Sequence, residues 1–212
     1  MKLQDRENMA ALGIFLGGVA LSAALMLALI SQWTAEPIRA AQEKTRQAAF
    51  HRLLLPKFDS TGEAKTFDDV TFYPVLSAGK TVGFVGQGIS RAGYGGEIEA
   101  LVGFDLSGKI TCVQILRHRE TPGLGANVCE RKFQRTIANL CEKVPEVPEN
   151  LILDQFCGKS AADAGNWRIN KDGGSFEYLT GATVTSRAVT ALTDRIAESF
   201  AKSKMAESVE EK

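Results

Sequence analysis

The chain has 212 residues, 44% of them hydrophobic and 24% charged, and its 25 basic and 25 acidic side chains give a formal net charge of zero. This length suits one domain with an appendage. The balanced charge argues against two classes of protein: a basic nucleic-acid-binding domain and an acidic disordered chain.

An uncharged apolar run lies near the N-terminus. Residues 9–30 read MAALGIFLGGVALSAALMLALI, and roughly 20 apolar residues are enough to cross the hydrocarbon core of a bilayer. Trp33 follows at the position of an interfacial anchor. A cleaved signal peptide would have a shorter apolar core and a small-residue cleavage site, which SQWTAEP does not supply. We therefore predict a short tail over residues 1–8 and one transmembrane helix over 9–30.

Basic residues stand on both sides of this helix, so their count does not fix its orientation. They are Lys2, Arg6, Arg39, Lys44 and Arg46. The very short tail favours an N-terminus inside the cell, with everything after Gln32 translocated.

A helical pattern follows the apolar run. It starts at Pro37, which can occupy the first turn of a helix, and apolar residues then recur every three to four positions through Leu55. Pro56 would end this helix. We predict the following segments after the membrane helix: a helical stalk over 31–56, a domain over 57–204 and a polar tail over 205–212.

Short runs rich in Val, Ile, Phe and Thr begin at about Val70. They read VTFYPVL, KTVGFVGQGI, GEIEALVGFDL and KITCVQILRH, and turn-forming segments separate them. FDLSGKI is typical of a tight hairpin. These four successive strands predict a mixed or antiparallel sheet.

Helical patterns return after the strands. Residues 126–143 place apolar side chains on one face until VPEVPEN breaks the pattern. Residues 186–202 carry an apolar stripe formed by Ala188, Ala191, Leu192, Ile196 and Phe200. The prediction is an α+β fold, with one N-terminal transmembrane helix followed by a mixed or antiparallel-sheet domain and flanking helices.

Four cysteines lie in the C-terminal half: Cys112, Cys129, Cys141 and Cys157. None belongs to a CxxC or CxxCH motif, so the spacing predicts no zinc ribbon, thioredoxin-type dithiol or c-type haem site. Two disulfides in any of the three possible connectivities fit the sequence, and so do buried free thiols.

TGATVTS, residues 180–186, places four hydroxyl side chains before the last helical pattern. Thr185 or Ser186 can cap that helix, which requires only one hydroxyl. Gly181 permits a positive φ or a close backbone approach. Because a helix start also offers unpaired N–H groups and positive potential, the segment indicates a phosphate site.

Two glycine-containing loops are further candidates for ligand contacts. In RHRETPGLGA (117–126), the backbone and Leu124 could line a flat ligand, with Glu120 or His118 as polar contacts; the alternative is a plain loop before a helix. We interpret His118 as a surface histidine, because it has no spaced His or Cys partner of the kind a metal site needs. The glycines around Tyr94 form either a turn or a ligand wall. No phosphate-binding loop, dinucleotide fingerprint or nucleophile elbow occurs.

Three segments in this order resemble the FMN-binding domain family: GYGGEI, HRETPGLG, and TGAT preceded by KDGG. With the single N-terminal span, they resemble the G subunits of Rnf (Rsx) ion-translocating electron-transport complexes. The C subunit of the sodium-translocating NADH:quinone reductases shares the domain, is typically longer, and is the nearest alternative.

The resemblance implies FMN attached covalently to Thr183, through a phosphoester made by a separate flavin transferase. It implies that Thr180, Gly181 and Ala182 are read by the transferase and shape the phosphate pocket. It further implies that Thr185 and Ser186 solvate the phosphate. The flavin-ring contacts that it implies are Glu120, Thr121, Leu124, Gly125, Tyr94 and Gly95.

The family role is that of an electron-carrying subunit rather than an independent enzyme. The sequence has no iron–sulfur ligand set and no dinucleotide fingerprint. Neither His51 nor His118 has the partner residues that a catalytic triad needs. The expected partners are the other membrane and redox subunits of the complex, the flavin transferase and membrane lipid, with no nucleic acid. The expected location is the bacterial inner membrane, with the domain on the extracytoplasmic side. A membrane-anchored assembly or sensor module without redox function is the alternative of another class.

Overall fold

The computed structural model describes residues 3–54, 60–132 and 148–203. The chain divides into two compact units, Met1–Arg46 and Gln47–Lys212. The expected boundaries at residues 55–57 and the C-terminal tail lie outside the described residues.

One long helix, α1 (Leu3–Leu54), contains the apolar run and the segment after it. Its stretch Ala11–Ala41 has a mean hydropathy of 2.3 and is long and apolar enough to cross a membrane. The side chains of this stretch are exposed. Pro37 lies inside α1, so the expectation that it begins a second helix is wrong. Proline inside a helix removes one backbone hydrogen bond and crowds the carbonyl four residues earlier, but helices that span membranes tolerate this.

The described part of the second unit is built on an antiparallel sheet of six strands. The strands are β1 (Ser60–Thr61), β2 (Lys65–Phe67), β3 (Val70–Ser77), β4 (Lys80–Gly93), β5 (Gly96–Asp105) and β6 (Ile110–Arg117). Their order is β1–β3–β4–β5–β6, and β2 also pairs with β3. The sheet prediction is therefore confirmed, with two short strands added at one edge.

The hairpin between β5 and β6 follows from its turn residues. The amide of Asp105 donates to the carbonyl of Lys109 over 2.9 Å, and the Asp105 carboxylate accepts from the Lys109 amide over 2.8 Å. Gly108 takes a φ of +77°, which other residues rarely adopt. The hairpin expected from FDLSGKI is confirmed.

The C-terminal helix α4 (Thr183–Ser203) covers one face of the sheet. Four side chains of the expected stripe are buried against the strands: Ala188, Leu192, Ile196 and Phe200. Ala191 is exposed. The ring of Phe200 stacks on that of Phe104, with centroids 4.3 Å apart. This apolar packing fixes α4 over the sheet, and its N-terminal end carries the TGATVTS segment.

Two glycines of β4 let α4 approach the sheet closely. A Cβ on Gly86 would lie 2.6 Å from Ile196 Cγ2, and one on Gly88 would lie 2.9 Å from Ile196 Cγ1. A larger residue at either position would force the helix away from β4. On the other face of the sheet, a small apolar cluster contains Val75, Val85 and Leu101.

Helix α2 (Gly125–Cys129) is shorter than expected. Its C-cap Glu130 is extended, with φ −100° and ψ 137°, so the helix expected over 126–143 is wrong from Glu130 to Lys132; residues 133–147 lie outside the described range. Arg131 instead donates to the carbonyl of Val113 over 3.0 Å and pairs with Asp154. These bonds hold residue 131 against β6, which is incompatible with a continuing helix.

Asn150 joins the end of α2 to the next helix, α3 (Leu151–Asp154). Its side-chain oxygen accepts from the amides of Ile152 and Leu153. Its side-chain nitrogen donates to three carbonyls at the end of α2, those of Asn127, Val128 and Glu130. Single 3₁₀ turns follow at Ala161–Asp163 and Asn170–Asp172.

Candidate functional site

The N-terminal end of α4 begins three residues earlier than the sequence pattern predicts. The first helical hydrogen bond runs from the Ser186 amide to the Ala182 carbonyl over 2.9 Å. Thr183 is therefore the first helical residue, and the prediction that Thr185 or Ser186 caps the helix is wrong. Gly181 precedes the helix with a φ of +87°, a conformation that favours glycine.

Three backbone amides at this helix start, those of Thr183, Val184 and Thr185, have no hydrogen-bond acceptor among the described residues. They are the donors that a helix leaves unpaired in its first turn. Together with the helix dipole, they make the start of α4 favourable for an anion. The Thr183 side chain is half-buried, and its hydroxyl is likewise without a partner in the described part of the chain.

The other hydroxyls of the segment differ from Thr183. Thr180 is exposed. Thr185 is buried, and its hydroxyl donates to Glu120 Oε2 over 2.7 Å. Ser186 is buried, and its hydroxyl donates to the Ala182 carbonyl while accepting from the Leu179 amide. The last two hydroxyls are thus engaged within the protein.

The carboxylate of Glu120 connects the three segments singled out in the sequence. Its Oε2 accepts from Thr185 of the TGATVTS segment, and its Oε1 accepts from the Gly95 amide of the GYGGEI turn over 3.0 Å. Glu120 itself lies in the HRETPGLG loop and is buried. Both side-chain oxygens of this buried group therefore have a hydrogen-bond donor, as buried polar groups normally do.

His118 fixes the backbone of the same loop. Its Nδ1 accepts from the Glu120 amide over 3.2 Å, and its Nε2 lies 3.3 Å from Glu130 Oε1. The side chain is 16% exposed, so the interpretation of His118 as a surface histidine is wrong. The sequence carried no pattern that joined His118 to Glu130, because this contact forms only when α2 folds back on the end of β6.

Glycines surround the Glu120 carboxylate where side chains would collide with it. A Cβ on Gly93 would lie 2.6 Å from Oε1. A Cβ on Gly125 would meet Oε2 and would lie 2.6 Å from Thr185 Oγ1. A Cβ on Gly95 would meet the carbonyl of Arg119. The glycines of both loops therefore serve close packing around one acidic group.

Apolar side chains near this carboxylate face solvent. Tyr94, Leu124 and Val184 are 74%, 48% and 44% exposed, and each adjoins a residue that packs on Glu120. A Cβ on Gly181 would lie 3.5 Å from Leu124 Cδ2, which places the TPGLG turn beside the start of α4. The free amides and these exposed apolar groups fit a ligand with a phosphate at one end and a flat apolar part at the other.

The KDGG turn is also fixed to α4. Arg187 Nη2 donates to Asp172 Oδ1 over 2.7 Å, and this hydrogen bond lowers the pKa of Asp172 below its usual range. Gly173 takes a φ of +80°, and a Cβ on Gly174 would meet the carbonyl of Arg168. The turn therefore approaches the helix one turn beyond Thr183.

Cys129 lies near the buried carboxylate of Glu120, and its thiol is unreactive. Burial raises the pKa of its thiol to about 12, with further contributions from the charges of Glu120 and Glu130. The thiol is therefore neutral near pH 7 and packs as a small apolar group.

The structure brings most of the predicted site residues together around Glu120 and the start of α4. Gly95, Gly125 and Thr185 pack on Glu120, while Gly181, Ala182 and Thr183 form the entry to α4 beside Leu124. Thr121 is exposed, and its carbonyl accepts from the amides of Leu124 and Ala126, which closes the TPGLG turn. Sequence reasoning missed Asn150 and Arg131, although an Asn directly before the apolar LILD is a helix-cap signal.

Comparison with known proteins shows the family of this chain. Residues 93–198 match the family model described as FMN-binding domain. The G subunit of the ion-translocating oxidoreductase complex of Cereibacter sphaeroides is 33% identical over 187 residues, which cover 84% of this chain and 77% of that protein. The protein of the same name from Pseudomonas aeruginosa is 31% identical over 204 residues, covering 89% and 87%. That from Shewanella oneidensis is 30% identical over 193 residues, covering 83% and 82%.

Proposed function

This chain belongs to the family of ion-translocating oxidoreductase complex G subunits and contains an FMN-binding domain, and we propose that it is an electron-carrying subunit of such a complex. The complex named in its relatives moves ions and transfers electrons. A chain with one flavin domain would need redox partners to receive electrons and to pass them on. The proposed role is therefore that of a carrier within an assembly, not of an independent catalyst.

The proposed attachment point for FMN is the hydroxyl of Thr183. This hydroxyl is partly exposed and has no partner in the described part of the chain, next to three free amides at the start of α4. That single observation carries the assignment, because a phosphoester oxygen at Thr183 would leave the phosphate beside unpaired donors. Thr185 and Ser186 are buried and already bonded, which makes them poor acceptors of the nucleotide.

The residues around Thr183 would each contribute to holding the cofactor. The amides of Val184 and Thr185 would stabilise the phosphate charge, and Gly181 would keep the approach open. Leu124 and Tyr94 would cover apolar ring surface. Glu120 would act one step away, because its bonds to Thr185 and Gly95 fix the two walls of the site. Bound FMN supplies reversible electron uptake, while the protein sets its position and potential.

A threonine hydroxyl does not react with a nucleotide unaided, because its pKa is far above neutral. The proposal therefore includes a separate flavin transferase that activates the Thr183 oxygen and the flavin nucleotide. The exposed Thr180 and Gly181 and the buried Ala182 form the segment that this enzyme would read before transfer.

The test is expression of the full chain with a flavin transferase, followed by intact mass and in-gel flavin fluorescence. We expect the wild-type protein to gain the mass of one FMN residue and to give a fluorescent band after denaturation. Thr183→Ala should lose both signals. Thr61→Ala is the matched control, because it removes an exposed hydroxyl on β1, outside the segments of the site, and should keep the fluorescent band.

Two results would contradict the proposal. A fluorescent band that persists in Thr183→Ala would move the attachment to another residue, which fragmentation of the intact protein identifies. A wild-type protein that stays colourless beside an active transferase would favour an assembly or sensor module without flavin. The remaining redox alternative is the role of the C subunit in a sodium-translocating quinone reductase, and purification of the associated subunits separates the two complexes.

The proposed setting is a bacterial inner membrane crossed once by the apolar part of α1. The support is the length and hydropathy of Ala11–Ala41 and the complex named in the relatives. The flavin domain would then stand on the extracytoplasmic side, against membrane lipid and neighbouring subunits. Alkaline phosphatase fused after residue 212 should be active in this arrangement, because that reporter works only outside the cytoplasm; an inactive fusion with an active cytoplasmic reporter would contradict it.

A further inference from the structure

Two cysteines from distant parts of the chain lie on segments that pack together. Cys112 belongs to β6, and Cys157 follows α3. Backbone bonds fix the two segments together: the Gly158 amide donates to the Ile110 carbonyl over 2.7 Å, and the Ile110 amide donates to the Lys159 carbonyl over 2.9 Å. Lys109 and Ser160 form an antiparallel bridge, and this register sets residue 157 opposite residue 112. Each thiol also shifts the pKa of the other, that of Cys112 downward and that of Cys157 upward. They are thus positioned by main-chain pairing and not by a chance surface contact.

A buried cation stands next to this pair. Arg131 Nη2 lies 3.8 Å from Cys112 Sγ, and the Arg131 side chain is only 2% exposed. The same guanidinium pairs with Asp154, whose carbonyl accepts from the Cys157 amide over 3.0 Å. The neighbouring Cys157 thiol, together with the charge of Arg131, lowers the pKa of the Cys112 thiol to about 7. A thiolate near neutral pH is the reactive form in thiol–disulfide exchange.

Access also favours this pair. Cys157 is exposed and Cys112 is partly buried, so an oxidant can reach the pair from solvent. Cys129 is buried and carries a thiol that stays neutral near pH 7. Of the three cysteines within the described residues, Cys112 and Cys157 are therefore the ones suited to react.

We propose that Cys112 and Cys157 form an intramolecular disulfide when the domain meets an oxidising compartment. In the first step, one thiolate of the pair attacks a disulfide of a protein or small-molecule oxidant, forming a mixed disulfide and releasing one oxidant thiol. In the second, the other cysteine attacks the mixed disulfide and releases the second oxidant thiol. The protein loses two electrons and two protons, and the oxidant disulfide is reduced to two thiols.

The cross-link would enclose the loop that carries Glu120. The segment between Cys112 and Cys157 contains the HRETPGLG loop, helix α2 and Asn150. A bond between its ends reduces the freedom of that segment in the unfolded chain. The disulfide would therefore favour the folded arrangement of one wall of the flavin site without touching it.

The experiment traps thiols in cells that express the full-length chain. Acid quenching is followed by a first alkylating reagent, reduction, and a second alkylating reagent of different mass. We expect Cys112 and Cys157 to carry the second label and the peptide pair that contains them to be linked before reduction. Cys112→Ser and Cys157→Ser should each leave the partner with the first label, whereas Cys129→Ser is the matched control and should keep the linkage.

The outcomes separate this proposal from the flavin assignment. The proposal rests on the proposed extracytoplasmic location, because that location supplies the oxidant. First-label alkylation of both Cys112 and Cys157 in wild-type protein, or a linkage to Cys129 or Cys141 instead, would overturn it. Thr183→Ala should lose flavin mass yet keep the disulfide, and Cys112→Ser should lose the disulfide yet keep flavin mass. A wrong flavin assignment would therefore change the flavin mass, and a wrong disulfide assignment would change the thiol labelling.

Discussion

The hydroxyl of Thr185 donates a 2.7 Å hydrogen bond to Glu120 Oε2 across a separation of 65 residues. Both side chains are buried. The second oxygen of Glu120 accepts from the Gly95 amide, so one carboxylate ties a strand turn, a loop and a helix start together. The three segments that resemble the FMN-binding domain family thus meet at a single acidic group.

Replacing Thr185 with valine should destabilise the domain, because it removes the hydroxyl donor while keeping the shape of the side chain. The Glu120 oxygen would remain buried without its partner, which costs about 1–3 kcal/mol. The measurement is the free energy of unfolding in urea on the full chain in detergent. Flavin incorporation should fall in parallel, because the start of α4 is no longer held to the loop.

Thr190→Val is the matched control for this substitution. Thr190 lies on the same helix and is buried, but its hydroxyl has no hydrogen-bond partner among the described residues. We expect its loss to leave stability unchanged or to raise it slightly, because no bond is broken. Equal destabilisation by the two variants would contradict the role assigned to the Thr185–Glu120 bond.

Gly125→Ala should distort the site from the opposite side. The added Cβ would meet Glu120 Oε2 and would stand 2.6 Å from Thr185 Oγ1. Overpacking of this kind typically costs about 1–3 kcal/mol, which exceeds the roughly 1 kcal/mol that alanine contributes over glycine in a helix. A thermal unfolding midpoint below that of wild type and weaker flavin fluorescence are expected. Pro122→Ala, at an exposed position of the same loop, should change neither the unfolding midpoint nor the flavin fluorescence. A Gly125→Ala variant with wild-type values of both would contradict the close packing assigned to Gly125.

Gly86→Ala tests how α4 is seated on the sheet. Its Cβ would lie 2.6 Å from Ile196 Cγ2, and we expect a loss of about 1–3 kcal/mol in unfolding free energy. Ile196→Ala alone should cost about 2–5 kcal/mol, because it leaves a cavity. The double variant should cost less than the sum by at least about 0.5 kcal/mol, since the smaller side chain makes room for the new methyl group. Strict additivity in denaturant titrations would show that the two residues are not in contact.

The reduced Cys112–Cys157 pair should react with alkylating reagents in a pH-dependent manner. The thiolate fraction of Cys112 rises as pH increases through about 7, so the alkylation rate should reach its half-maximum near that pH. Cys157→Ala removes the hydrogen-bond donor and should shift the profile to higher pH. Cys157→Ser keeps a donor at that position and should shift it less. Identical profiles for the two variants would mean that the donor does not set the pKa of Cys112.

Local sequence patterns were sufficient where a structure depends on neighbouring residues. Short runs rich in Val, Ile, Phe and Thr, with the turn residues between them, predicted the strands β3 to β6 and the hairpin at Gly108. The three- to four-residue spacing predicted the buried stripe that includes Ile196 and Phe200. Strand-favouring composition and turn residues act over a few neighbouring positions, and the spacing of the stripe reports which face of the helix is buried.

The errors fall at element ends and at a proline. Helix α2 ends at Cys129 because Arg131 binds the carbonyl of Val113 on β6, a partner that no local pattern reveals. Helix α4 starts at Thr183 instead of Ser186, and Pro37 lies inside α1. Boundaries depend on competing tertiary bonds as well as on the residues that surround them.

The sequence by itself determined the α+β class, the apolar N-terminal helix and the family, because each can be recognised from local composition or from short contiguous motifs. Only the tertiary structure decided that Glu120 meets both Thr185 and Gly95, and that the segment carrying Cys157 packs beside Cys112 on β6. The physical reason is that a hydrogen bond or a thiol contact needs atoms within a few ångströms. For residues tens of positions apart, that proximity is created by the seating of α4 on the sheet and by the pairing of residues 158–159 with β6.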